Sequence, residues 1–260
     1  NGGQLPEKTR LKHIIYQLKM LVRKADYLLA KRNLLAANKL SSADDITITP
    51  FVGCGAHRNL LNQAIRQVVQ QAQTELLILT PYFNLPKPLA KDISKALKRG
   101  VKVTIIIGDK TANDFYIAPE KPFTTIGIVP YLYEVLLTRY VKKQKRNIDK
   151  GLLNIRLWKD GDNSFHLKGM IADSRYHFIT GSNLNPRAWA LDLENGLLLD
   201  DPKGMLMPAF DLEWAGLLKN TQLISHYKEI DPMSSYPEKP RNLLKKLRMV
   251  QIDRLLKRFL

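Results

Sequence analysis

His166 and Lys168 stand two residues apart in the segment Phe165-His166-Leu167-Lys168-Gly169-Met170-Ile171-Ala172-Asp173. An imidazole and an ammonium at that spacing can meet one phosphate. Side chains alternate along a strand, so a strand over residues 165–172 puts His166 and Lys168 on one face and Asp173 on the other. The histidine can attack phosphorus or protonate a leaving oxygen. The lysine can stabilise charge on the non-bridging oxygens. Asp173 is read as a turn residue or a supporting group. Gly181-Ser182-Asn183-Leu184-Asn185 closes the expected hairpin. Asn183 can hydrogen-bond the phosphate or hold the loop, and Ser182 and Asn185 are read as structural neighbours. Further on, Glu194 offers a carboxylate. By accepting from Nδ1–H of His166 it would fix the tautomer and leave Nε2 free to attack.

Such groups need a rigid frame, and the sequence carries an α/β pattern. Leu76 to Thr80 is an apolar run suited to a buried strand, and residues 101–107 form another. Between them a helix over residues 89–98 stops at Gly100. Strand, helix, strand implies a parallel pair with a right-handed crossover, and ligands in such sheets sit beyond the carboxyl ends of the strands. The segments after Thr80 and Ile107 are therefore candidate site loops. They carry Tyr82, and Asp109, Lys110, Asn113 and Asp114, read as candidates for a substrate pocket. For Tyr82, Phe83 and Tyr116, core packing is an equal reading. Strands over 46–49, 153–158 and 195–199, helices over 59–73 and 131–150, a hairpin of 165–172 with 176–180, and a helix start near Pro186 complete the pattern.

Both ends look helical. Over residues 8–37, Leu11, Ile14, Ile15, Leu18 and Leu21 form an apolar stripe, with Lys12, Lys19 and Arg23 opposite. This helix is expected to pack on the domain, a membrane surface being the alternative. Residues 39–45 read as a linker. Residues 241–260 are basic and leucine-rich, as two short amphipathic pieces or one kinked helix, suited to docking on the domain or to anionic lipid.

The 260 residues carry a formal charge of +17, which draws the chain to polyanions: acidic lipid headgroups, phosphorylated substrates, or nucleic acid and the ribosome. Cys54 is the one cysteine, which excludes a disulfide within the chain and fits a reducing compartment. It is read as a small buried or turn residue. No apolar run reaches the roughly 18 residues of a membrane span. The first residue is Asn1, which suggests a fragment or a processed form.

His-x-Lys-x4-Asp, then Gly-Ser and Asn, then an acidic residue, resembles the signature of the phospholipase D superfamily; here it stands as His166, Lys168, Asp173, Gly181, Ser182, Asn183 and Glu194. One departure is visible. Seven residues separate Asp173 from Gly181 where the usual form has six, and Asn183 follows Ser182 directly, so its distance from His166 is preserved. Longer blocks resemble the C-terminal half of bacterial phosphatidylserine synthases of the phospholipase D type. They are Thr80 to Pro86, Gly108 to Tyr116, Arg156 to Asp160 and Asn183 to Trp189. The likeness runs from about Thr47 to the basic tail.

The resemblance implies an α/β fold: a phospholipase D-like mixed sheet between helix layers, with a helical N-terminal arm and a basic helical C-terminal tail. It divides the chain into an arm or linker from a missing N-terminal half (1–40), a catalytic half-domain (41–230) and an amphipathic tail (231–260). It implies that a histidine takes the phosphatidyl group from CDP-diacylglycerol, releasing CMP, and that L-serine then takes it from the histidine. No cofactor and no metal are expected. Family members carry two His-x-Lys motifs with the active site between them. This chain has one, because His226-Tyr227-Lys228 lacks the Asp and Gly-Ser that would follow. An N-terminal half or a second copy of the chain is therefore an expected partner, alongside an anionic membrane surface. The implied location is cytoplasmic, peripheral to the inner membrane. Rival readings are a cardiolipin synthase-like transferase, a nuclease, or an inactive polyanion-binding half-domain.

Overall fold

The apolar runs lie side by side at the centre of one eight-stranded mixed sheet. The computed structural model describes residues 9, 11–24 and 46–249. Strands β2 (Glu75–Thr80), β3 (Lys102–Gly108) and β4 (Leu153–Trp158) are parallel. Beside β2 run β5 (Gly169–Ala172), β6 (Tyr176–Thr180), β7 (Leu193–Asp200) and β1 (Thr47–Cys54), each antiparallel to its neighbour. At the other edge β8 (Thr221–Ile224) pairs antiparallel with β4.

Period two explains why β2 is apolar at successive positions. Leu76 and Ile78 of β2 enter one core cluster, while Leu77 and Leu79 face a second. The first face is covered by α2 (Leu60–Gln71), α3 (Lys87–Arg99) and α4 (Val129–Lys143). Ile65, Leu89 and Ile93 are fully buried there. Each such side chain contributes roughly 1.5–3 kcal/mol. On the second face, Trp214 and Leu217 of α7 (Met207–Lys219) pack beside Ile106, Trp158 and Phe165. The short helices α5 (Lys145–Asp149) and α6 (Pro186–Ala190) and the C-terminal α8 (Glu238–Met249) complete the set, with α1 over residues 11–24. Gly100, at φ 93°, ends α3 by donating its N–H to Ala96 and Leu97.

The structure corrects several expectations. β1 runs to Cys54, well past residue 49, and tolerates Pro50 because it is an edge strand paired with β7 alone. The helix expected over 131–150 starts at Val129 and divides at Gln144. Residues 165–168 are not strand, since β5 begins only at Gly169. α7 and β8 were not foreseen. The apolar stripe of α1 does not pack: Leu11, Ile14, Ile15, Leu18 and Leu21 are 42–64% exposed. The rest of that expected helix beyond residue 24, the linker 39–45 and tail residues 250–260 lie outside the described residues. α8 docks through Leu244, which is buried in the main core. No helix among the described residues is long and apolar enough to cross a membrane.

Candidate active site

The strand register brings several chain segments to one end of the sheet. β2 and β3 reach this end with their carboxyl termini, beyond Thr80 and Gly108. β5 starts there, because Gly169 pairs with Leu79 on one side and Ile179 on the other. β6 ends there at Thr180, opposite Gly196 of β7. Gly169 permits this close approach: a Cβ at that position would stand 2.5 Å from the carbonyl oxygen of Phe178.

His166 and Lys168 meet just before β5. The Lys168 Nζ lies 2.9 Å from Nδ1 of His166 and 3.0 Å from the His166 carbonyl oxygen. An ammonium can only donate, so Nδ1 accepts and the neutral ring carries its proton on Nε2. That Nε2 faces Oδ2 of Asp114 at 3.4 Å. The same Oδ2 accepts the Tyr82 hydroxyl at 2.5 Å. Tyr82 stacks on Tyr133, with centroids 5.3 Å apart and planes within 5°, and sets an edge against the His166 ring. Burial, then Asp114, pushes the Tyr82 phenol upward, so it remains a neutral donor. Burial likewise pushes Tyr133 up to about 12.

Glu194 lies at the start of β7, close to Gly181. The expected bond from its carboxylate to Nδ1 of His166 is not made, because the Lys168 ammonium occupies that nitrogen. Glu194 acts on Lys168 instead. Burial pushes the Lys168 ammonium below its ordinary value, and Asp114 and Glu194 oppose that shift. Burial, reinforced by Asp192, raises the Glu194 carboxyl against the pull of Lys168 and Arg187. Arg187 itself pairs with Asp192 at 3.2 Å.

The loop after β6 is braced from both sides. The Thr80 hydroxyl donates to the Asn183 carbonyl at 2.8 Å, and the Thr180 hydroxyl to the Asn195 carbonyl at 2.5 Å. Ser182, buried, accepts the N–H of Leu184 at 3.3 Å. Asn185 caps α6 by accepting the N–H of Ala188 at 2.9 Å. The side-chain oxygen of Asn183 is buried and has no hydrogen-bond partner among the described residues.

A family model described as "Cardiolipin synthase, PLD-like domain" matches residues 65–211, more than half of the chain. The chain belongs to this PLD-like family. It is 46% identical over 215 residues to the CDP-diacylglycerol–serine O-phosphatidyltransferase of Haemophilus influenzae, covering 83% of this chain and 47% of that protein. It is also 46% identical over 217 residues to the enzyme of the same name from Escherichia coli, covering 84% and 48%. The crystal structure of phosphatidylserine synthase from Haemophilus influenzae superposes with a TM-score of 0.81 at 45% identity, over 85% of this chain and 49% of that one. The chain thus spans about half the length of the curated relatives it matches.

Other sequence candidates of this PLD-like domain sit elsewhere or are already engaged. Asp173 turns β5 into β6, with φ 54° at both Asp173 and Ser174. Its carboxylate accepts the backbone N–H groups of Gln73, Thr74 and Glu75 and the Thr74 hydroxyl, at the opposite end of β2 from His166. Lys110 is enclosed by Glu134 at 3.0 Å and by Asp231, with the Tyr236 ring beneath it. Asp109 caps its own turn through the N–H and hydroxyl of Thr111. Asn113, buried, accepts the N–H of Phe115 at 3.0 Å. His226 accepts the N–H of Lys228 in a local turn. Among the described residues no three of His, Cys, Asp and Glu gather to hold a metal ion. Asp114 as the partner of His166 was missed as a role: it stood among pocket candidates, but no local spacing ties it to the motif.

Proposed function

We propose that this chain supplies one half of a phosphatidyl-transfer site, passing the phosphatidyl group of CDP-diacylglycerol to L-serine through a phosphatidyl-histidine. The attacking imidazole forms a P–N bond as the P–O bond to CMP breaks, and the second motif's histidine protonates the departing oxygen. The serine hydroxyl then attacks phosphorus, the P–N bond breaks, and the hydroxyl proton returns to the acid–base histidine. His166 takes one of these two roles. As an acid it acts as the imidazolium, giving its Nε2 proton to the departing oxygen and keeping one on Nδ1; as a nucleophile it starts from the same cation, yields the Nε2 proton to Asp114 and attacks through that nitrogen. Lys168 offsets charge on the phosphoryl oxygens, and Asn183 donates to them or holds the loop.

The observation that carries this reading is the Lys168–His166–Asp114 contact in a chain 46% identical to two serine phosphatidyltransferases. The second motif comes from an N-terminal half or from a second copy of the chain. Residues 41–230 are read as the catalytic half-domain, flanked by the arm and the tail. The charge of +17 supports peripheral binding to an anionic inner-membrane surface from the cytoplasm. The test is CMP release from CDP-diacylglycerol by an assembly holding two motifs. Serine-dependent release that His166→Ala abolishes is expected. Release indifferent to serine, or cleavage of DNA in its place, overturns the reading.

A further inference from the structure

Between α3 and α4, on the helix-covered face, lies a cleft of about 400 Å³. Phe83, Lys87, Lys91, Arg139, Tyr140 and Lys143 line it. No carboxylate does, and none of His166, Lys168, Asp114 or Glu194 reaches it. The rings of Phe83 and Tyr140, 4.9 Å apart, give it an apolar wall.

Two features of this cleft are not accounted for by folding. The first is the placement of charge. A helix N-terminus carries partial positive charge and favours an anion. α3 has no acidic residue in its first turn and no side-chain cap; it opens on Lys87, with Lys91 one turn on. Arg139 and Lys143 sit near the end of α4, where cations are ordinary, but they point the same charge into the same cleft. Lys87, Lys91 and Lys143 have no carboxylate within ion-pair distance among the described residues. The second feature is the hydroxyl of Tyr140, which is buried and has no hydrogen-bond partner among the described residues. Burial raises its pKa, so it stays a neutral donor.

One ligand chemistry answers both. A phosphate ester supplies negative charge to lysines and arginine, oxygen acceptors to ammonium, guanidinium and phenol, and an organic part to lie along Phe83. We infer that the α3–α4 cleft is a second anion site that binds a phosphate ester, apart from the phosphate that reacts at His166. The ester is either the headgroup of an anionic phospholipid or a soluble phosphate ester. The site stands whether or not serine is the acceptor of the transfer reaction.

The experiment titrates the 260-residue chain with glycerol 3-phosphate and with dihexanoyl phosphatidic acid below its micelle concentration. In parallel it sediments the chain with phosphatidylglycerol or phosphatidylcholine vesicles. Lys91→Glu, Lys143→Glu and Tyr140→Phe are compared with Lys98→Glu, an equal charge change on α3 outside the cleft, and amide resonances of Ala90 and Ser94 report occupancy. Each charge reversal in the cleft is expected to weaken binding by about tenfold or more, with Lys98→Glu within about twofold. Tyr140→Phe weakens it less, and should a charge reversal unfold the chain, this variant and the amide shifts decide. Binding of the soluble esters assigns the site to a free phosphate compound. Binding of phosphatidylglycerol vesicles alone assigns it to a headgroup. Equal affinity in the cleft variants, amide shifts only around His166, or no binding of any probe overturns the inference.

Discussion

Asp114 holds its Oδ2 3.4 Å from Nε2 of His166 while the Tyr82 hydroxyl anchors the same oxygen at 2.5 Å. With Lys168 at Nδ1, both ring nitrogens of His166 are engaged, and Asp114 is the group positioned to receive or return the Nε2 proton. Asp114→Asn keeps the shape and removes the proton acceptor. It should lower kcat by about tenfold to a hundredfold with little change in KM. Tyr82→Phe, which only frees the carboxylate, should cost less, and the double variant less than the product of the two, since they act in one chain of bonds. Normal turnover in Asp114→Asn would remove it from the mechanism.

Lys168 should set the alkaline side of the pH profile. Burial holds its ammonium below the ordinary lysine value, against Asp114 and Glu194, which favour the charged form. Activity that needs the charge is lost as pH rises through that lowered value. Glu194→Gln removes one supporting carboxylate, so the Lys168 pKa falls further and the alkaline limb of kcat moves to lower pH. Below the lowered wild-type value Lys168→Ala should lower kcat by about a hundredfold or more, and above it the two proteins should converge. An alkaline limb unmoved in Glu194→Gln would show that Glu194 does not act on the lysine.

The sheet's centre was legible because β2 and β3 are buried on both faces and carry apolar runs, with Gly100 marking the stop between them, while β4 alternates Leu153, Ile155 and Leu157 with Asn154 and Arg156. β8 was not, since Thr221-Gln222-Leu223-Ile224 buries only Ile224 and borrows its order from β4. α7 was missed because its apolar residues do not make one stripe, and none of them is fully buried. The pairing of His166 with Lys168 was legible from their spacing, although the expected strand geometry was not what produced it: the contact forms in an irregular segment that Gly169 admits between β2 and β6. Asp114 could be placed at a strand end but not against His166, since the loop path from Gly108 to Asp114 is set by the caps of Asp109 and Asn113.

Lys110 should prove a support for the site loop and not a substrate ligand. Its ammonium is held by Glu134 and Asp231, and these pairs outweigh the burial that alone would lower its pKa. Lys110→Met leaves Glu134 buried without a counter-charge and should cost about 3–5 kcal/mol of stability. Lys110→Met with Glu134→Gln should recover part of that loss. Thermal unfolding reads both, and a Lys110→Met protein that melts like wild type but binds CDP-diacylglycerol poorly would restore the lysine to the substrate pocket.

Asp173 makes the clearest stability prediction of the motif. Burial alone would raise its carboxyl, but the backbone N–H groups of Thr74, Gln73 and Glu75 and the Thr74 hydroxyl prevail and hold it below the ordinary aspartate range. A lowered folded pKa means that this stability is fully present above the unfolded value, about pH 3.9, and is lost as pH falls through the folded one. Asp173 is only partly buried, so solvent reduces what the cluster is worth, and Asp173→Ala should cost about 1–2 kcal/mol at neutral pH. Because the carboxylate ties β5–β6 to the start of β2, far from Nε2 of His166, kcat at a temperature where the variant stays folded should change by no more than about threefold. The wild-type loss of stability below about pH 4 should be shallower in Asp173→Ala, because the titrating group is gone. A variant with wild-type melting and acid profile but a collapsed kcat would move Asp173 from the fold into the chemistry.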